Sequence, residues 1–287
     1  MPTILRKESQ YSRQKGEGCN VETTKQLTQE QIQGFQEDGY LVVESLFSSE
    51  EARMLSDNFM RMHAEGPIPG FEPASPEEAN GDILKLYPRM MHPHRVDELS
   101  LQYLLDDRLE SVLTGLFGEE PLAAQSMLYF KPPGAKGQAL HQDNFYLKVE
   151  PGTCIAAWVA LDAADQENGG LEVVPGTHDM EIFCPEEADS DVSFTRDFVP
   201  VPEGLEAVPV VMQPGDVLFF NGQLVHGSQP NSSEDRFRRS FICHYIGRSS
   251  ERISKWYRPI LTMEGEEVTI DESIGGGPCG TEDAGVH

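Results

Sequence analysis

Nowhere does this chain carry an apolar run long enough to cross a bilayer, which excludes a membrane-spanning helix. The N-terminal stretch MPTILRKESQYSRQKGEG also lacks the apolar segment of a secretory signal. A soluble, cytoplasmic protein is the expectation. The five cysteines (19, 154, 184, 243 and 279) are odd in number and form no C-x-x-C pair. That pattern argues against a disulfide framework or a structural zinc site. Positive charge is in deficit, with 22 Lys and Arg against 48 Asp and Glu and a formal net charge of −26. Such a surface repels nucleic acid and anionic membranes. It tilts the expected partner toward a neutral or cationic small molecule. Nothing in the composition speaks to oligomeric state.

The 287 residues suffice for one decorated β domain with a full core. Residues 1–25 are polar and without periodicity, and read as a flexible arm; 275–287 read as a flexible tail. Between them, 26–274 read as a single domain. Thr28 is placed to cap a helix over 29–37 that stops at Asp38-Gly39, with a strand following over 40–43. Ser48 and Glu51 form a capping box that opens a helix carrying Met54, Leu55, Phe59 and Met62. A third helical stretch covers 96–117, with a break at Asp106-Asp107. From Ala123 onward, short strands are expected over 125–131, 155–161, 170–174, 208–212, 216–221 and 239–246. Pro-Gly and Gly-Gly turns punctuate them, as in a sandwich or barrel. The acidic segment 183–206 interrupts the series and reads as an insertion or lid.

The most informative pattern is His141-Gln142-Asp143 with the distant His226. Two imidazoles and one carboxylate are the ligand set of mononuclear non-haem Fe(II), which keeps coordination positions open for a co-substrate and O2. On a strand, residues i and i+2 share a face, so His141 and Asp143 are expected to project together while Gln142 turns away. Arg238 and Ser240 repeat that spacing after His226. A guanidinium fork with a neighbouring hydroxyl suits the distal carboxylate of 2-oxoglutarate. His178, at the end of PGTH, is expected to order a turn, and His244 to sit in the core.

Over residues 28–250 the chain resembles the phytanoyl-CoA dioxygenase family of Fe(II)/2-oxoglutarate oxygenases. The resemblance rests on QSMLYFKPPG (125–134), LHQD (140–143), AAWVALDAADQENGGLEVVPGTH (156–178), PGDVLFFNGQLVHGS (214–228) and FRRSFICHY (237–245). It implies a mainly β fold with flanking helices, a double-stranded β-helix or jelly-roll barrel of cupin type. It also implies His141, Asp143 and His226 as the catalytic iron ligands. Arg238 would take the 2-oxoglutarate C5 carboxylate, assisted by Ser240 or Ser228. Trp158 would pack beside the co-substrate, and Gln125, Met127 and Tyr129 would line the same pocket from one strand face. Lys85 matches a basic position near the pocket in some relatives. Relatives that chlorinate carry a small residue where Asp143 stands, so halogenation is not expected.

The activity so implied is hydroxylation of an unactivated C–H bond in a small molecule, an amino-acid derivative or natural-product intermediate. 2-Oxoglutarate and O2 would be consumed, and succinate and CO2 released. The same chemistry also supports desaturation, epoxidation or cyclisation. A cupin-like protein that binds metal and a small acid without catalysis is the alternative from another class. Residues 90–92, Asn144, Tyr146, Trp256, Tyr257 and the 183–206 insertion are the candidates for substrate contact.

Overall fold

The computed structural model describes residues 26–273, so the expected arm and tail lie outside the described residues. Its first helices form where the caps foretell. Thr28 and Ser48 each accept from the backbone three residues on, while Gln31 and Glu51 reach back, so both helix starts are reciprocal capping boxes. The helices run Gln29–Asp38 and Ser49–Glu65. The expected third helix is two, Glu98–Leu104 and Asp107–Phe117, and Asp106 caps the second. No described helix is long and apolar enough to cross a membrane.

Two antiparallel sheets follow. In the eight-stranded sheet the central order is Tyr40–Val43, Val217–Asn221, Cys154–Ala160, Ser240–Gly247, Pro121–Tyr129. The four-stranded sheet runs Gln138–His141, His226–Ser228, Leu171–Val173, Val208–Pro209. These sheets and the helices outside them are the jelly-roll architecture the sequence implies.

Both faces of the larger sheet are covered, so its central strands are buried almost throughout. Ile155, Ala157, Val159, Val217, Phe219, Phe241, Cys243 and Tyr245 pack outward against Phe35, Leu55, Phe59, Leu109 and Val112 of the helices. Their neighbours Ala156, Trp158, Leu218, Phe220, Ile242 and Met127 turn inward, toward Leu171 and Val173 of the smaller sheet. Strand alternation thus assigns one residue set to the scaffold and the other to the interior. The turn between the sheets depends on Gly215 at φ +95°, where an added Cβ would meet the Phe47 carbonyl oxygen at 2.1 Å. Asp216 completes it by accepting from the Ser45 and Gln213 backbone N–H groups.

Two strand expectations change. The strand expected over 125–131 begins earlier, at Pro121, and ends at Tyr129. The 208–212 strand shrinks to Val208–Pro209 plus an isolated bridge at Met212, because Pro209 donates no ladder bond. The insertion carries a small hairpin, Glu186–Glu187 against Asp197–Phe198. Cys154 and Cys243 are buried and free, whereas Cys184 is disulfide-bonded.

Phe241 is fully buried, with its ring centroid 5.5 Å from that of Phe59, and so joins sheet to helix layer. Phe241→Ala is expected to lower unfolding stability by about 3–5 kcal/mol. Chemical denaturation measures this, and a loss under about 1 kcal/mol would contradict the packing described.

Candidate active site

His141 ends the strand Gln138–His141 and His226 begins the strand His226–Ser228; the two are direct partners in the ladder. Their rings lie 4.3 Å apart, centroid to centroid. Gly137 permits the close approach of these chains, since a Cβ there would stand 2.2 Å from the Ser228 carbonyl oxygen. Each imidazole is fixed by the carbonyl two residues before it. His141 Nδ1 lies 2.8 Å from Ala139 O and His226 Nδ1 2.9 Å from Leu224 O. A carbonyl only accepts, so both Nδ1 atoms carry the proton and both Nε2 atoms keep a lone pair.

Asp143 departs from the expected geometry. It lies past the strand end, in helical backbone conformation (φ −60°, ψ −38°), ahead of the short helix Asn144–Leu147. Strand parity therefore does not explain its direction. Its Oδ1 nevertheless faces both imidazoles, 3.4 Å from His141 Nε2 and 3.6 Å from His226 Nε2. The three residues are buried and offer ligand atoms within 4.8 Å of one another. Two neutral imidazole lone pairs and one carboxylate oxygen, converging in a dry pocket, fit a divalent transition metal.

Gln142, also past the strand end, turns away from the triad. Its amide donates to Gln223 O, and its Oε1 accepts from the Phe183 backbone. The cleft beside the triad is lined by Met127, Tyr129, Trp158, Ser228 and Arg238, together with Gln138, Ile242 and His244. Arg238 donates to Gly169 O at 3.0 Å and to Ser240 Oγ at 2.9 Å, and its guanidinium lies 5.3 Å from the Trp158 ring centroid. Burial pulls it down to about 10. Ser228 Oγ accepts from Lys131 Nζ at 2.8 Å. Gln125 lies deeper, opposite His244 in the ladder, and is not among the residues lining the cleft.

Four contributors were not assigned to the site from the sequence. The Gln138 side-chain amide lies 3.1 Å from His141 Nε2. His244 Nε2 lies 3.0 Å from Asp143 Oδ2, so this histidine contacts a triad residue as well as filling the core. Its shared parity with Ser240 was the available signal. Lys131 is buried next to Arg238, and burial, then the Arg238 charge, holds its ammonium well below the usual lysine range. Arg89 donates to the Tyr129 hydroxyl and joins Lys131, Lys136 and Arg238 around an adjoining pocket. Lys85 is exposed and outside that pocket. His178 orders its turn by bonding to Gln36 O. Of the proposed substrate contacts, Tyr146 bonds Asp197 of the insertion, Asn144 accepts from the Val149 backbone, Tyr257 is core and Trp256 is exposed.

The chain matches the family model described as phytanoyl-CoA dioxygenase over residues 35–240. A phytanoyl-CoA dioxygenase of Arabidopsis thaliana is 28% identical over 262 residues, spanning 78% of this chain and 90% of its own length. Among solved structures, the non-heme alpha ketoglutarate dependent carbocyclase SnoK of nogalamycin biosynthesis superposes with a TM-score of 0.61 at 19% identity, covering 78% of this chain and 86% of its own. The epimerase SnoN, solved with Fe3+, alpha ketoglutarate and nogalamycin RO, superposes with a TM-score of 0.59 at 21% identity, covering 80% and 85%. These two structural likenesses speak for the fold.

The triad geometry generates a direct test. Anaerobic Fe(II), or Co(II) in its place, at a hundredfold excess over its dissociation constant is expected to stabilise the folded protein by about 2.7 kcal/mol. His226→Ala should abolish that gain in thermal melts, and an equal gain in the variant would show that metal binds elsewhere.

Proposed function

The chain belongs to the phytanoyl-CoA dioxygenase family and is a non-haem iron, 2-oxoglutarate-dependent oxygenase, and on that premise we propose that it hydroxylates an unactivated C–H bond of a small molecule. The substrate class we favour is an amino-acid derivative or natural-product intermediate, with succinate and CO2 as co-products. The observation that carries this reading is the distribution of charge along one cleft. His141, Asp143 and His226 converge at one part of it, and Arg238, buried and bonded to no carboxylate among the described residues, lines another.

In this reading His141, Asp143 and His226 hold Fe(II), which when bound supplies O2 activation coupled to decarboxylation of 2-oxoglutarate. The remaining work belongs to the chain. A buried guanidinium without a counter-ion is costly, and an arriving carboxylate removes that cost. Arg238 therefore takes the C5 carboxylate. Ser240 and Gly169 hold the guanidinium fork in one orientation, and the Trp158 face supports it. Lys131, bonded to Ser228, and Arg89, bonded to Tyr129, add positive potential to the same region. Met127 and Tyr129 form wall. Apolar Phe220, Leu171 and Ile242 keep the cleft dry, which strengthens each charge interaction within it.

Ring formation or epimerisation from the same chemistry is the second reading. It is favoured by the carbocyclase and epimerase descriptions of the proteins that share this fold. Product mass separates the readings: hydroxylation adds one oxygen, whereas ring closure removes two hydrogens and epimerisation leaves the mass unchanged.

Anaerobic titration with Fe(II) and 2-oxoglutarate is expected to produce the weak visible band of the iron–keto-acid chelate. Arg238→Ala should weaken 2-oxoglutarate binding by about 2–5 kcal/mol, the usual cost of removing one partner of a buried charge pair. An unchanged affinity in that variant would refute the assignment of Arg238. A compound screen read by stimulated succinate release then identifies the substrate.

A further inference from the structure

The two histidines of the triad are held by backbone carbonyls, but the carboxylate is not oriented by that means. Asp143 lies beyond its strand, and its side chain makes no capping bond to the helix that follows. A carboxylate only accepts, so fixing its rotation takes a donor. We propose that His244 is that donor: its Nε2–H holds Asp143 Oδ2, and thereby directs Oδ1 alone at the metal position.

The geometry supports each step. His244 lies on the strand Ser240–Gly247, inward-facing with Ser240 and Ile242, while Phe241, Cys243 and Tyr245 face the helices. His244 Nε2 is 3.0 Å from Asp143 Oδ2, and both side chains are only 1% exposed. With Oδ2 so engaged, Oδ1 is the oxygen turned to the two imidazole Nε2 atoms, at 3.4 and 3.6 Å. A carboxylate free to rotate can present both oxygens and occupy two positions on the metal. One held at Oδ2 occupies a single position and leaves room for a chelating keto acid and O2. Groups that orient metal ligands in this way commonly contribute about 10–100-fold to metal affinity or activity.

The proposal rests on iron binding by the triad, and the test separates the two claims. Fe(II) affinity is measured anaerobically by competition with a chromogenic chelator, and the visible 2-oxoglutarate band is recorded for each protein. His244→Phe keeps a buried ring but removes the donor, and should lower Fe(II) affinity by about 10–100-fold and displace the band. His244→Gln can extend an amide N–H to the same position and should recover most of both. His244→Asn, one methylene shorter, should not. If His244→Phe fails to fold, the contrast between Gln and Asn still decides. Equal Fe(II) affinity and identical bands across the variants would overturn the role of His244. Failure of the unsubstituted protein to bind Fe(II) would instead overturn the triad reading beneath it.

Discussion

His141 and His226 stand opposite each other across one antiparallel pair, and the rest of the site depends on that register. Strand side chains alternate, so a slip of one residue would turn one imidazole out of the cleft and bring a neighbour in. The pair is short: Gln138–His141 against His226–Ser228, with a register shift between His226 and Ser228. So short a ladder is marginal by itself. It is held by the third strand, Leu171–Val173, and by the close approach that Gly137 allows. The larger sheet contributes rigidity at a distance. Its outward set is locked into the helix layer, so the inward set, which includes Trp158, Ile242 and His244, has little freedom to shift.

Electrostatics inside the cleft oppose the charge of the whole molecule. A net charge of −26 describes the surface, and it encouraged the expectation of a neutral or cationic partner. The interior shows the reverse. Arg89, Lys131 and Arg238 meet around contiguous space, and none of the three bonds a carboxylate among the described residues. Lys131 and Arg238 are buried and Arg89 is partly so, and cations held from water without a carboxylate cost free energy. The arrangement is intelligible as a receptor for an anion such as the co-substrate carboxylate. Some of the acid elsewhere is paired locally, as with Arg108 between Glu51 and Asp106, or Arg239 with Asp162. Those pairs serve the scaffold rather than the cleft.

Much of this was legible in the sequence because it is local. Capping boxes at Thr28 and Ser48, the helix break at Asp106, and the apolar strands at 155–161 and 239–246 each follow from spacing within a few residues. The fold class and triad were legible through motif and resemblance together. What escaped was set by partners far along the chain. Asp143 was expected on a strand, yet the local chain turns helical there and a histidine 101 residues away contacts the carboxylate. Lys131 was read only as the end of the 125–131 strand, and only the folded chain brings Gly169, Ser228 and Gln229 around its ammonium. Lys85 and Arg89 are close in sequence and equally basic, but only Arg89 reaches Tyr129.

The insertion adds one more constraint. Residues 183–206 are bonded along the strand that presents His141: Gly137 N to Val192 O, Phe194 N to Gly137 O, and Val199 N to Leu140 O. Ser193 Oγ accepts from Ala139 N, and Tyr146, three residues after Asp143, donates to Asp197. Burial and that hydrogen bond push the Tyr146 phenol well above its usual range, so it remains a donor. Displacing the insertion therefore breaks backbone bonds on the residues immediately before His141. Movement of the insertion is thereby coupled to the backbone that presents His141.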